Sequence, residues 1–459
     1  MIGPRHVRPL IASVTARLGS DTHLKAVGLL VGGTASAQLL GLLALPVLTR
    51  IFSAEDFSVL AVYVAILTLL GAITCMRLDA AIPLPEDDSE VLNLLLLALL
   101  SATLVTVVLS VAIILWGPVL ATALGRPDFA PFLWLVPIGV AFAGLYSAFQ
   151  YLAVRQKEFG SIARTKLTQA VAGLGAQVGL GLAGAGPVGL MIGHGLMSGS
   201  GALALARRTL RSGLLQSGRP SWIALRATLG RYQRFPKFSV AEELANNAGI
   251  QLPVLLIGIY LLGPEAGFLF LAMRVVGTPM TVIGGAVSQV YYAHAAQYYR
   301  EGRLAEETAS VFRRLSIWLV LPMALLGPFA PDVFRAVFGP DWERAGVLLV
   351  WMVPWYAFRL IASPISMVMH VRMKQHLMLY LTIGGLLLRV VPLVIILGWR
   401  PEYASFTYAV TSAVFYALIS VVFLSVAGIS RQALMRLVAV PVFLWVAAGS
   451  VSYIIARAI

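Results

Sequence analysis

Charge is scarce in this chain. Only 12% of its 459 residues are Asp, Glu, Lys or Arg, against about 25% in a soluble domain. With 59% hydrophobic residues, that scarcity excludes both a soluble globular enzyme and a disordered chain, because a soluble fold needs a polar exterior. Cysteine is nearly absent. Cys75 stands alone, so neither an intrachain disulfide nor a cysteine-based metal cluster can form. Catalytic signatures are missing as well. No Gly-Lys pair exists to build a phosphate-cradling loop, and there is no His-Glu-x-x-His or Gly-x-Ser-x-Gly. The six His residues are scattered, and His194, in a Gly-rich stretch, reads as a packing residue. Neither a cofactor nor a metal is expected, and the chain reads as a non-enzyme.

What is present is apolar sequence in long runs, with a mean hydropathy of +0.87. About 20 apolar residues cross a bilayer. Runs of that kind fall at 26–49, 57–76, 91–116, 130–153, 163–183 and 187–206, then at 239–262, 266–291, 311–337, 346–370, 377–398, 403–427 and 435–456. The expectation is an all-α polytopic membrane protein. Its units are a cytoplasmic lead-in (1–24), a six-helix lobe (25–206), a basic linker (207–237), a second six-helix lobe (238–428) and one further helix (429–459). The N-terminal run is too long for a cleaved signal. The linker reads either as an amphipathic surface helix, with Trp222 and Leu225 on its apolar side, or as an unstructured basic segment.

The net charge is +14, which in a soluble protein would suggest nucleic acid. Here the basic residues sit in short loops, and no nucleic-acid partner is expected. Placing the N-terminus inside puts 25 of the 34 Lys and Arg residues on inner segments and 6 on outer ones. The positive-inside rule fixes the orientation accordingly.

The halves echo each other. Val154-Arg155-Gln156-Lys157 returns as Val371-Arg372-Met373-Lys374, and Val136-Pro137 as Val353-Pro354, both at an offset of 217. Gly117-Pro118 pairs with Gly327-Pro328, and Arg126-Pro127-Asp128-Phe129 with Gly339-Pro340-Asp341-Trp342. Both copies begin inside, as in a parallel repeat. Such repeats mark transporters whose site lies between the halves.

The remaining three basic residues, Arg274, Arg359 and Arg389, lie near the middle of predicted helices. Charges at that depth face a bundle interior or a wet cavity. Among the acids only Asp79, Glu242 and Glu243 fall near helices, all toward inner ends. Deep cations without deep anions predict a cavity that binds an anion, and guanidinium grips phosphate oxygens bidentately. Pro46, Pro253 and Pro279 interrupt the first, seventh and eighth helices, as gating bends or as passive kinks. Gly175-x-x-x-Gly179, Gly189-x-x-x-Gly193 and Gly195-x-x-x-Gly199 read as close-packing faces.

Four segments carry a family resemblance. Leu45-Pro46-Val47-Leu48-Thr49-Arg50-Ile51-Phe52-Ser53 and Arg77-Leu78-Asp79-Ala80-Ala81-Ile82-Pro83 resemble the bacterial polysaccharide biosynthesis flippases of the multidrug/oligosaccharidyl-lipid/polysaccharide (MOP) superfamily. So do Ala272-Met273-Arg274-Val275-Val276-Gly277-Thr278-Pro279 and Phe338-Gly339-Pro340-Asp341-Trp342-Glu343. The resemblance implies two lobes in a V within the inner membrane. It implies outward flipping of an undecaprenyl-diphosphate-linked oligosaccharide for O-antigen, capsule or exopolysaccharide. Membrane lipids, a polysaccharide polymerase and glycosyltransferases would be its partners. Arg274 matches the family's Arg in its eighth helix, whereas Arg359 and Arg389 fit only by depth. A drug/cation antiporter of the same superfamily is the alternative; a membrane-embedded polymerase and a scaffold are more distant ones.

Overall fold

A computed structural model describes residues 22–123, 125–211 and 221–458. Most of the expected lead-in and the middle of the expected linker, 212–220, lie outside the described residues. Among the described residues there is no strand. Ten segments are long and apolar enough to cross a membrane. Helices at Phe159–Leu182, Val240–Tyr260 and Arg431–Ala458 bring the expected thirteen to completion. The first two of these are the polar ones, carrying Arg164, Lys166 and Gln169, and Glu242, Glu243 and Asn246 respectively.

The first lobe comprises α1 (Thr22–Ile51), α2 (Ala54–Thr74), α3 (Asp88–Ala123), α4 (Leu135–Arg155), α5 (Phe159–Leu182) and a sixth span split into α6 (Pro187–Gly199) and α7 (Ala202–Arg211). Local chemistry sets the starts. Ser53 accepts from Asp56 N–H while Asp56 accepts from Ser53 N–H, a capping box worth about 1 kcal/mol. Asp87 caps α3 through Ser89 N–H (3.1 Å), and the bonds from Ser89 hold its carboxyl below the usual carboxylate range.

Between the lobes lies α8 (Trp222–Arg231), capped by Ser221. It is fastened to α3 by an Arg231–Glu90 ion pair at 2.8 Å. Trp222 and Ile223 are exposed on it and Leu225 is half-buried, so a surface helix with an apolar side does form at this end of the linker.

The second lobe comprises α9 (Val240–Tyr260), α10 (Glu265–Arg300), a broken ninth span, α14 (Glu343–Ile365), the short α15 (Val368–Val371), α16 (Gln375–Trp399) and α17 (Ala404–Ala427). The ninth span was expected whole. It divides into α11 (Leu304–Leu315), a π turn at Ser316–Val320, α12 (Leu321–Leu326), a 3-10 turn at Gly327–Phe329 and α13 (Ala330–Phe338). Pro322, Pro328 and Pro331 remove the N–H groups that would carry one helix through. The last helix, α18 (Arg431–Ala458), packs against α12 and α17.

Pairing repeats between the lobes. In the first, α5 packs on α1 and α6, and α4 on α2 and α6; in the second, α16 packs on α9 and α17, and α14 on α10 and α17. The turns after α4 and α15 superimpose in hydrogen bonding. Lys157 N–H meets Val154 O and Glu158 N–H meets Ala153 O; Met373 N–H meets His370 O and Lys374 N–H meets Met369 O. The left-handed residues are Lys157 (φ 57°) and Met373 (φ 55°). The backbone repeat therefore runs one residue short of the sequence match here.

One glycine reading needs correction. Gly175 and Gly179 face open space. The close approach of α5 to α6 is made by Gly173 and Gly193: a Cβ on either would sit 2.6 Å from the other's carbonyl oxygen. Gly173→Ala is therefore expected to cost about 1–3 kcal/mol by overpacking. Gly175→Ala is expected to be neutral or stabilising by up to about 1 kcal/mol through helix propensity. Thermal unfolding of the purified variants separates the two.

Candidate functional site

The helix ends divide the molecule into a basic end, with the turns near 75–87, 156–158, 301–303 and 372–374, and an opposite end, with the turns near 52–53, 125–134, 261–264 and 339–342. A cavity of about 400 Å³ lies in the second lobe. Asn246 and Ile250 of α9, Ser363 of α14 and Thr382 of α16 line it, with Phe415 and Tyr416 of α17. These residues lie in the central parts of their helices or in the halves nearer the basic end, so the cavity extends toward that end.

Arg359 and Arg389 both line this cavity, and no Asp or Glu does. Arg389 is 3% exposed. Its Nε donates to Gly385 O of its own helix at 2.8 Å, and its guanidinium lies 4.6 Å from the Phe415 ring centroid. Its Nη1 is buried without a hydrogen-bond partner. Arg359 is half-buried, with its guanidinium 5.7 Å and 5.9 Å from the Tyr356 and Tyr416 rings. Neither pairs with a carboxylate among the described residues. Ring faces offer a cation partial compensation for lost water, but not a hydrogen bond for every N–H. The site thus holds one desolvated guanidinium with a spare donor beside a second, half-buried one, a chemistry that suits an anion.

Two glycines make the arrangement possible. Pro253, one turn along α9, cannot donate to Gly249 O. A Cβ on Gly249 would sit 2.5 Å from Arg389 Nη2, and a Cβ on Gly385 would sit 2.2 Å from the Phe415 ring. Gly249→Ala is expected to tilt the guanidinium off Phe415 and weaken binding of inorganic pyrophosphate about tenfold, with insertion intact. Calorimetric titration of the detergent-solubilised protein reads this directly.

Arg274 lies elsewhere. It sits in the half of α10 nearer the opposite end, in a niche of about 20 Å³ bounded by Leu45 of α1, Leu60 of α2, Gln177 of α5 and His194 of α6. The structure brings Arg359 and Arg389 together and sets Arg274 apart, against the first lobe. His194 is the unexpected neighbour: it faces the lobe boundary and packs edge-on to Tyr63 (centroids 6.2 Å apart). The acid inventory needs correction: Glu55, Asp56, Asp88, Glu90, Glu265, Glu306, Glu307, Asp332 and Glu343 also lie in the first turns of helices. Glu265, in the first turn of α10, takes Arg344 in a two-pronged pair (3.0 and 3.2 Å) and accepts from Ser405. Pro46, Pro253 and Pro279 all lie inside helices that continue past them.

Sequence reasoning missed Asn246, Gly249, Phe415 and Tyr416. One signal was available. Asn246, Gly249 and Pro253 recur at three and four residues, which places a polar residue, a gap and a missing donor on one helix face.

Two lobes of six spans related by repeat, closed at one end and holding a charged cavity toward the other, define a MOP-type transporter fold. Among solved structures, the lipid II flippase MurJ in an inward closed conformation aligns with a TM-score of 0.68 at 13% identity, covering 94% of this chain and 98% of that one. An inward-facing multidrug resistance MATE family transporter of the MOP superfamily aligns with a TM-score of 0.55 at 15% identity, covering 90% and 94%. These show the fold alone. Residues 47–346 match the family of polysaccharide biosynthesis proteins, and the chain belongs to that family. The succinoglycan biosynthesis transport protein ExoT of Rhizobium meliloti (strain 1021) is 24% identical over 344 residues. The alignment covers 73% of this chain and 66% of that protein's length. The chain is a multi-pass membrane protein, and its relatives and fold are those of transporters.

Proposed function

We propose that this protein flips an undecaprenyl-diphosphate-linked oligosaccharide from the inner to the outer leaflet by alternating access, for O-antigen, capsule or exopolysaccharide synthesis. The observation that carries the reading is Arg389, buried in a cavity shared with Arg359, unmatched by any carboxylate, with Nη1 unpartnered. A diphosphate supplies the missing acceptors. Hydroxyls and amides at Asn246, Ser363 and Thr382, beside the Tyr416 ring, suit the first sugar. The lipid tail stays in the bilayer.

In this reading the basic end is cytoplasmic, the N-terminus is inside and the membrane is the bacterial inner membrane. The cavity then takes its cargo from the inner leaflet. Arg274 serves later: its niche of about 20 Å³ has no room for a phosphate until the lobes part at the outer end. Pro46, Pro253 and Pro279 supply bends for that movement. A polymerase and glycosyltransferases work before and after the step. The fold is shared with multidrug transporters, so it does not discriminate between the readings. The charge does: a site for cationic drugs needs carboxylates where this one has arginines.

The test is genetic. Deleting the gene is expected to make lipid-linked repeat units accumulate on the cytoplasmic leaflet and to stop surface polymer. Normal surface polysaccharide in a clean deletion, with no redundant transporter, would overturn the proposal.

A further inference from the structure

The end opposite the basic one is shut by contacts that cross between the lobes, and two of them start from corresponding turns of the repeat, at different positions in each: Arg126 stands just before its turn and Trp342 ends its own. Arg126 lies between α3 and the turn Pro127–Phe132 that leads into α4, and its Nη1 donates to Gly258 O of α9 at 2.6 Å. Trp342 lies in the turn Pro340–Trp342 that leads into α14, and its Nε1–H donates to Thr49 O of α1 at 3.1 Å. The two turns hold the same place in the two lobes. So do the acceptors: α1 opens the first lobe and α9 the second, and each carbonyl lies two residues before its helix's last residue, Ile51 or Tyr260. Each lobe therefore sends one donor across to the end of the other lobe's first helix.

The acceptors are groups that a helix cannot satisfy itself. The last four carbonyls of a helix have no in-helix donor, and the partial negative charge there favours a cation. Ser53, whose N–H would otherwise serve Thr49 O, is turned to Asp56 Oδ2 at 3.0 Å. Both donors are buried, Arg126 at 4% and Trp342 at 2% exposure. Close backbone approach lets them reach. A Cβ on Gly267 of α10 would sit 2.1 Å from Ala54 O of α2, and one on Gly258 would sit 2.6 Å from Val62 of α2. The Trp342 ring is held edge-on by Phe57 of the first lobe (5.0 Å) and Phe268 of the second (5.8 Å).

We propose that Arg126 and Trp342 are gating residues forming a reciprocal latch: both cross-lobe bonds hold this end closed, and both release together when it opens. Water reaches the two carbonyls on opening and replaces the lost bonds, so each bond biases the equilibrium without locking it. The latch stands on the closure of this end, whatever the cargo, so its failure would leave the proposed function untouched.

The test places spin labels at Glu55→Cys and Leu262→Cys, both exposed and on opposite lobes at this end, in a Cys75→Ala background in liposomes. Pulsed electron–electron resonance reads the distance distribution. Arg126→Gln is expected to raise the open-to-closed ratio about tenfold and Trp342→Phe, which keeps the ring contacts, about fivefold. The double variant is expected to reach about fiftyfold, because two bonds on one equilibrium multiply. Arg126→Lys, which keeps the positive charge and the longer reach that the neutral, shorter Gln amide lacks, stays near the parent. Each single variant is read by itself, so loss of one to misfolding leaves the other half tested. A double variant with the parental distance distribution, or Arg126→Lys opening as far as Arg126→Gln, would overturn the latch.

Discussion

Replacing Arg389 by Ala is expected to lower transport about 30- to 150-fold while leaving the fold at least as stable as before. The size follows from what the guanidinium offers the cargo. Hydrogen bonds to charged groups contribute about 1.5–3 kcal/mol each, and losing about 2–3 kcal/mol converts to that range at 1.4 kcal/mol per tenfold. The sign on stability follows from what the guanidinium lacks at home. It is 3% exposed, with Nη1 unpartnered and no carboxylate beside it, and an uncompensated buried charge destabilises the folded state. Among the described residues, only the Gly385 carbonyl and the Phe415 face offset that cost. Function and stability thus move in opposite directions, as expected at a binding site. Arg389→Lys keeps the charge but loses the flat contact with Phe415 and the planar fork, and is expected to retain about a tenth of the activity. Arg359→Ala should fall in the same direction but less far, since Arg359 is half-buried and reaches water. Flipping of a labelled polyprenyl-diphosphate saccharide in proteoliposomes, with thermal unfolding of the same preparations, checks all three. Parental transport by Arg389→Ala would remove the anion site from the mechanism.

The fold was legible because bilayer physics constrains it so tightly. Hydropathy alone places ten spans among the described residues, and the basic residues divide between two ends because charge and lipid exclude each other. Breaks inside spans were not legible in the same way. The ninth span reads as one apolar run, yet Pro322, Pro328 and Pro331 cut it into pieces, because hydropathy does not register a missing N–H. The site was half legible. Depth along the membrane normal can be counted from the sequence, which is why Arg274, Arg359 and Arg389 stood out. Rotation about the helix axis and membership of a lobe cannot be counted that way. Those two quantities send Arg274 to the α1–α2–α5–α6 side and Arg359 with Arg389 to the α9–α17 side. Close helix packing was misassigned for a related reason. Gly173 and Gly175 are equally small, and only the facing helix decides which one is needed.

Outward flipping is expected to follow the membrane potential, up to about a thousandfold in cargo distribution per 100 mV, and to be insensitive to a pH gradient. A diphosphate carries about two negative charges, by analogy with phosphate ionisation. Each charge crossing the full field gains about 2.3 kcal/mol per 100 mV when the inside is negative. Two charges gain roughly 4–5 kcal/mol per 100 mV, or about three decades. The protein's own charges subtract from this only as far as they travel. Arg389 is wedged between Gly249, Gly385 and Phe415 on three helices of one lobe, so it moves with the lobe by a rocking angle and not across the bilayer. Most of the displaced charge is therefore the cargo's. A proton-driven mechanism needs a carboxylate in the path, and the cavity lining has none. Among the described residues, the one buried carboxylate with an unpartnered oxygen is Asp79, whose Oδ1 has no partner while Oδ2 accepts from Ser147 at the basic end of the first lobe. Asp79→Asn is accordingly expected to leave potential-driven flipping within about twofold of the parent. The measurement is flipping in proteoliposomes with the potential clamped by valinomycin and the pH gradient set independently. Transport that follows the pH gradient alone, and collapses in Asp79→Asn, would transfer the driving role from the cargo's charge to that carboxylate.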